Sequence, residues 1–290
     1  MHSSINKTQI KNFQKTIYDH YKKYRRDLPW RRNITPYKIV VSEIMLQQTQ
    51  VDRCIPKFKA FIKRFPNFKS LAAAPLSEVL RLWQGLGYNR RAVYLKRIAE
   101  IVARAYGNTP LPDDPNELRK FPGVGSATAA SIVVYAFNKP YPFIETNVRS
   151  VYIHHFFTKR TQREGVQQYA PTRTEPITDS DLLPLVEATM DSKNPREWFY
   201  ALMDYGVYLK KQHQNPSRRS AHHVTQSKFE GSNRQLRGRI IKTLVEQEKV
   251  SIPVLAKIMK TGEKKLQKNI NQLAAEGFLT QQNGSIRLSH

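Results

Sequence analysis

Through most of the first 230 residues, apolar side chains recur at helical spacing, and no other feature limits the fold as strongly. The spacing predicts helices over 8–24, 37–52, 54–64, 77–84, 90–106, 115–120, 126–137, 146–158, 180–190 and 196–210. Pro29, Pro36, Pro66, Pro110, Pro112, Pro122, Pro142 and Pro171 fall between those segments, where helix breakers belong. No apolar–polar alternation and no internal repeat is visible in this region, so it is expected to be all-α. At 290 residues the chain has room for about two domains, each with its own core.

The last stretch changes character. Gln235–Glu248, Ser251–Met259 and Gly262–Glu276 form three shorter helical patterns, with Ser251 before Ile252-Pro253 as a cap-plus-proline start. Phe278-Leu279-Thr280 and Ser285-Ile286-Arg287-Leu288 then flank Asn283-Gly284, a hairpin signal. Three helices and a hairpin resemble a winged helix, which serves either DNA or intramolecular docking, or contact with a protein partner.

Charge narrows the function. Lys and Arg number 48 against 23 Asp and Glu, a net charge of +25 that points to a polyanion, most often nucleic acid. Hydrophobic content of 40% with 10% aromatics excludes wholesale disorder. Residues 7–32 hold nine cations against two acids, which also fits a solvated helix face. Residues 210–240 hold eight cations against Glu230 and few apolar groups, and read as an extended basic loop contacting phosphate. The one cysteine, Cys54, excludes an internal disulfide and any multi-cysteine zinc or iron–sulfur site within one chain, and suits a reducing cytoplasm. Beside Ile55 it reads as a buried small residue. His154-His155 and His222-His223 lack Cys or acidic partners at metal spacing, so no metal site is expected. Met1–Lys7 shows no apolar leader, and no run approaches the roughly 18 apolar residues of a membrane span. The expectation is a soluble, cytoplasmic, nucleoid-associated protein.

Two motifs carry chemistry. Phe121-Pro122-Gly123-Val124-Gly125-Ser126 places a tight Gly-Val-Gly turn before a helix whose first N–H groups can hold a phosphate; a plain helix–turn–helix connection is the other reading. It is neither a Walker loop nor a dinucleotide fingerprint, since no Gly-Lys-Ser/Thr follows and Thr128 stands where a third Gly is needed. In Ile39-Val40-Val41-Ser42-Glu43-Ile44-Met45-Leu46, one acid lies within an apolar helix. Partial desolvation there would suit a proton donor, and a structural Glu–Arg pair is the alternative. Glu145, after Phe143-Ile144, is either a second carboxylate or a helix-start acid favoured by the dipole. Two carboxylates flanking a glycosidic bond are the usual means of passing through an oxocarbenium-like state.

At this point a family resemblance emerges. Leu28-Pro29-Trp30-Arg31, Thr35-Pro36-Tyr37-Lys38, Ser42–Val51, Leu82-Trp83-Gln84-Gly85-Leu86-Gly87-Tyr88 and Pro122-Gly123-Val124-Gly125 resemble the MutY-type adenine DNA glycosylases, members of the helix-hairpin-helix superfamily that includes endonuclease III. The resemblance covers roughly residues 8–210. It implies a mainly α fold of two helical lobes with the site between them, plus the small winged-helix-like domain. The corresponding segments would be a six-helix lobe at 28–137, a second lobe from 1–27 and 138–230 with a basic loop at 210–223, and the C-terminal domain at 234–290.

The resemblance also implies residue roles. Glu43 would protonate the departing base and help activate water; Glu145 would be the second carboxylate, and Asn147 would help organise the site. Trp30, Arg31 and Tyr200 would line the pocket of the flipped base. Gln48, Thr49, Leu86 and Tyr88 would fill the disrupted stack, with Gly123 and Gly125 at the backbone. Lys210, Lys211, Arg218 and Arg219 would reach phosphate. Ala127 stands where bifunctional relatives carry a Schiff-base lysine, which implies hydrolysis without imine-dependent strand cleavage.

The chain also departs from the family pattern. Glu145-Thr146-Asn147 stands where the family has Asp-Gly-Asn, and the extra methylene moves the charge by about 1.5 Å. Tyr200 occupies the position at which the family reads adenine with Gln or Glu. Lys210 stands at the first ligand position of the usual four-cysteine iron–sulfur loop, and no cysteine follows, so no cofactor is expected. The winged-helix-like segment replaces the Nudix-like domain. The expected function is monofunctional excision of a base, adenine opposite guanine or 8-oxoguanine, by a monomer acting on double-stranded DNA. Excision of another damaged or mispaired base, or non-catalytic lesion binding, are the alternatives.

Overall fold

Helices begin where the sequence supplies side-chain acceptors for orphan N–H groups. Asn6, Asn67 and Thr178 each close a reciprocal capping box, and Thr35 and Asp114 cap helices that open with a proline. The computed structural model describes residues 5–106, 111–163, 166–171, 175–225 and 228–289, so Met1–Ser4 of the N-terminal reading lie outside the described residues. Two compact units emerge: Met1–Asp27 with Ser126–Thr225, and Leu28–Gly125 with Gln226–His290.

In the Leu28–Gly125 unit, helices Pro36–Leu46, Val51–Arg64, Phe68–Ala73, Leu76–Trp83 and Arg90–Ile101 surround Phe61, Phe65 and Trp83, whose rings meet edge to face. Arg90–Ile101 continues as a π-helical turn, Val102–Tyr106. Phe68–Ala73 was not expected, because six residues are too few to display helical periodicity. The C-terminal segment adds helices Asn233–Gln247, Ile252–Met259 and Glu263–Ala275. A three-stranded antiparallel sheet follows, with Ser285–Leu288 at its centre between Lys249–Ser251 and Leu279–Gln282. Asn283 and Gly284 both take positive φ, 49° and 67°, as a primed hairpin turn requires. Ser251 precedes Ile252–Met259 but makes no side-chain cap bond.

The other unit holds Lys7–Tyr24, Ser126–Phe137, Thr146–Phe156, Asp179–Thr189 and Pro195–Gln212 around an aromatic core in which Phe13 meets Tyr152 and Trp198 at 5.2 and 5.8 Å. Its antiparallel hairpin, Thr158–Arg163 with Val166–Pro171, corrects the expectation that the first 230 residues are all-α. The first strand reads Thr-Lys-Arg-Thr-Gln-Arg, without one apolar residue, so no alternation betrays it.

The expected boundary at 137 falls instead between Gly125 and Ser126, inside the hairpin motif, and 234–290 groups with Leu28–Gly125. Arg90 donates to Glu276 across that grouping at 3.1 Å, and Arg237 of the C-terminal segment itself holds the same carboxylate at 2.6 Å. Arg97 donates to the Glu276 carbonyl at 3.2 Å. Among the described residues, no helix is long and apolar enough to cross a membrane.

Candidate active site

Glu43 sits mid-helix in Pro36–Leu46, half-exposed between Ile39, Val40, Val41 and Ser42 on one side and Ile44 and Met45 on the other, all six of them buried. Six buried neighbours fix the backbone beneath the carboxylate, so the helix presents one acid on a rigid mount. A mid-helix residue finds its own turn's N–H groups already bonded to carbonyls, which leaves the side chain for other partners.

Where this helix ends, a buried arginine takes over. Gln48 and Tyr88 adopt positive φ (53° and 46°), and Gly85 and Gly87 do so at 90° and 75°. Loops of this shape leave carbonyls without helical or strand partners. Arg91, 6% exposed, answers both loops. Its Nη1 donates to the Ile44, Met45 and Gln47 carbonyls at 2.9, 2.8 and 2.6 Å. Its Nη2 donates to Thr49 Oγ1 at 3.0 Å and to the Gly87 carbonyl at 2.9 Å. The guanidinium also lies over the Trp83 and Tyr88 rings at 5.4 and 5.6 Å. Burial pushes its pKa down to about 10, which still leaves it cationic at neutral pH. Sequence reasoning missed Arg91; the available signal was that two glycine- and glutamine-rich turns flank a cation on the apolar face of a helix.

The glycine motif joins the same structure. Gly123 has φ +76°, and a Cβ there would come within 2.4 Å of the Tyr94 ring, so only glycine fits. Its carbonyl accepts from Gln47 Nε2 at 3.2 Å. Gly125 has open space around its Cα.

The structure gathers Glu43, Gln48, Thr49, Leu86 and Tyr88 in one unit, and it adjusts several expected roles. Gln48 is exposed, whereas Leu86 is buried, its side chain turned into the core instead of projecting as a wedge. Trp30 is likewise buried, edge-on to Phe58 at 5.5 Å, while Arg31 is half-buried beside it in sequence. Tyr88 receives a hydrogen bond on its hydroxyl from Arg234 of the C-terminal segment, whose guanidinium also lies 5.1 Å from its ring.

Glu145, Asn147, Tyr200 and the basic cluster belong to the other unit. Glu145 caps Thr146–Phe156: Oε1 accepts from Asn147 N at 2.5 Å and from Val148 N at 3.0 Å. Asn147 Nδ2 donates to Glu145 Oε2 at 3.3 Å, and Lys210 Nζ donates to Asn147 Oδ1 at 2.8 Å. Lys210 was expected in an extended loop; it lies instead in the last turn of Pro195–Gln212, half-buried and turned inward. Lys211 continues that helix and is exposed. Arg218 is exposed on the short turn Pro216–Arg219, and half-buried Arg219 donates to the Phe157 carbonyl at 2.9 Å and to Thr158 Oγ1. Tyr200 stacks face to face on Tyr135 at 4.5 Å and is 7% exposed.

Among the described residues, no group of three or more His, Cys, Asp or Glu is arranged to hold a metal. The family's iron–sulfur cluster does not fit the donor set: the only cysteine is Cys54, buried in the Leu28–Gly125 unit, and its thiol is pushed up to about 11 by burial. His155 packs against Phe13 and Tyr205, and burial pushes its pKa down to about 4.

Residues 41–176 match the HhH-GPD superfamily of base excision DNA repair proteins. The adenine DNA glycosylase of Mycolicibacterium smegmatis (strain ATCC 700084 / mc(2)155) is 33% identical over 244 residues, covering 78% of this chain and 77% of that relative. The adenine DNA glycosylase of Buchnera aphidicola subsp. Acyrthosiphon pisum (strain APS) is 42% identical over 137 residues, 47% of this chain and 39% of the relative. This chain spans half or less of the length of three Buchnera relatives, 39%, 50% and 41%. A solved thermostable thymine-DNA glycosylase shares the fold, with a TM-score of 0.59 and 24% identity over 74% of this chain and 93% of that one. Glu43, the paired turns that Arg91 holds, and the glycine turn at 123–125 all lie within the matched residues 41–176, and this chain belongs to the adenine DNA glycosylase family of the helix-hairpin-helix base excision repair superfamily.

Proposed function

We propose that the protein is a DNA N-glycosylase that hydrolyses the bond between a flipped base and its sugar, with adenine mispaired with guanine or 8-oxoguanine as substrate. The observation that carries this reading is Glu43: the one half-exposed carboxylate in a buried helical segment, next to two turns locked by Arg91. A base must leave the stack before its glycosidic bond is reachable, and rigid turns carrying Gln48, Thr49 and Tyr88 suit occupation of the gap.

In the proposed reaction Glu43 gives its proton to the departing base as the C1′–N bond breaks, and then takes a proton from the water that adds to C1′. Glu145 supplies negative charge to the cationic sugar, its oxygens fixed by Asn147 and Val148. With Ala127 at the family's Schiff-base position, the product is an abasic site left by hydrolysis. With Cys54 as the one cysteine, the donor set supports action without an iron–sulfur cofactor and suits a reducing cytoplasm; a monomer acting on double-stranded DNA completes the proposal. Exposed Lys211 and Arg218 supply phosphate contacts.

The test is incubation with duplexes carrying adenine opposite guanine, 8-oxoguanine, cytosine or thymine, followed by alkali to cleave abasic sites. Strand breaks confined to the first two duplexes are expected. Release of a different base, or none, would overturn the assignment.

A further inference from the structure

Lys210 has a partner that its place in a basic run does not suggest. Helix Pro195–Gln212 lies so close to Thr146–Phe156 at Gly206 that an added Cβ would sit 2.7 Å from both Asn147 Cβ and the Asn147 carbonyl oxygen. That approach brings one face of the helix around the Asn147 side chain: Met203 Sδ lies 3.8 Å from Nδ2, and Lys210 Nζ, one turn past Gly206, lies 2.8 Å from Oδ1. An ammonium has three donors and no acceptor, so it can face only the oxygen end of an amide. The amide nitrogen of Asn147 is thereby turned toward Glu145 Oε2, at 3.3 Å. Without Lys210 the amide could rotate by half a turn, and the carboxylate would lose that donor.

We infer that Lys210 is a positioning residue for Glu145, acting through Asn147, and not a phosphate contact. The inference rests on the glycosylase reading of Glu145. Burial lowers the Lys210 pKa from its ordinary value while the Glu145 charge opposes that shift, as expected for a cation engaged inward.

Lys210→Met keeps the length and apolar packing of the side chain without its donors; Lys210→Arg keeps donors and charge. The readouts are single-turnover base release at saturating protein, on the duplex where wild type is active, and the salt dependence of binding to a matched duplex. Lys210→Met is expected to slow base release about 10- to 100-fold, the scale of a misplaced catalytic group, with affinity, salt slope and melting temperature unchanged. Lys210→Arg should recover part of the rate. If the methionine variant fails to fold, Lys210→Gln, with one amide donor and no charge, is read in the same way.

An unchanged rate with a salt slope shallower by about 0.9 would make Lys210 a phosphate contact and overturn the inference. An arginine variant as slow as the methionine variant would reduce Lys210 to packing and overturn it too. Borohydride trapping of wild type on DNA that vanishes in Lys210→Met would make the amine a nucleophile, with the same result. A wild type that releases no base from any duplex would overturn the glycosylase reading and this inference with it.

Discussion

Glu43 and Glu145 are mounted in opposite ways. Glu43 projects from the middle of a helix whose neighbours are buried, and the buried cation Arg91 bonds to backbone carbonyls at the helix end. Glu145 sits at a helix start, where two backbone N–H groups and the Asn147 amide converge on its oxygens, and the nearest organising cation, Lys210, bonds to a side chain. The first arrangement fixes the backbone beneath the carboxylate. The second fixes the carboxylate itself, which suits a stationary negative charge. The two cations therefore do different work: Arg91 secures two loops, and Lys210 orients one amide.

That contrast can be broken first at Arg91. Replacement by Met would strip donors from the Ile44, Met45, Gln47 and Gly87 carbonyls and from Thr49 Oγ1. Several buried acceptors losing a charged partner should cost about 3 kcal/mol or more, measured by urea unfolding. Lys210→Met should lie well below that. Equal losses at the two positions would mean that both cations are simply structural.

The units should also part company in acid. Residues 28–125 contain no histidine, whereas the other unit buries His155, with a folded-state pKa of about 4 against an ordinary value of 6.5. The unfolded chain then binds the proton more strongly, so stability is complete above the ordinary value and is lost as pH falls from 6.5 toward 4. The loss reaches about 3 kcal/mol at most. Melting curves between those limits should show it, and His155→Phe should flatten the slope; an unaltered slope would assign acid lability to other groups.

The smallest effect is expected at the surface. Lys211→Ala with Arg218→Ala should leave single-turnover base release intact and make the slope of log K against log[salt] shallower by up to about 1.8, two contacts at about 0.9 each. A change in mismatch preference with no change in slope would show that these residues read the lesion.

Sequence made the Glu43 half of this comparison legible and left the other half largely hidden, for physical reasons. An acid within Ile39–Leu46 stands out because apolar helical spacing is a local signal, and the Asn283-Gly284 turn is local in the same sense. The glycine turn at 123–125 was readable because its backbone needs exclude most other residues. Arg91 was not readable, since a cation on a helix ordinarily faces water, and only the tertiary meeting of two loops gives it acceptors. The Lys210–Asn147 bond was not readable for a related reason: Lys210, Lys211, Arg218 and Arg219 look alike in a charge run, yet only Lys210 lies one turn past the glycine that admits Asn147. The strands at 158–171 escaped because backbone pairing needs no apolar pattern, and Lys249–Ser251 because three residues show no period. The stacking of Tyr200 on Tyr135 was hidden because the two rings come from different helices.

Glu43 is the residue on which base release should depend most. Glu43→Gln keeps the size and helical fit of the side chain and removes its proton chemistry, so the single-turnover rate of base release from adenine opposite 8-oxoguanine should fall by at least about 10²- to 10⁴-fold, the usual contribution of a positioned acid or base. Affinity for the same duplex should stay near that of wild type. A glutamine variant that releases adenine at close to the wild-type rate would contradict the central claim, because the chemistry would then belong to another residue.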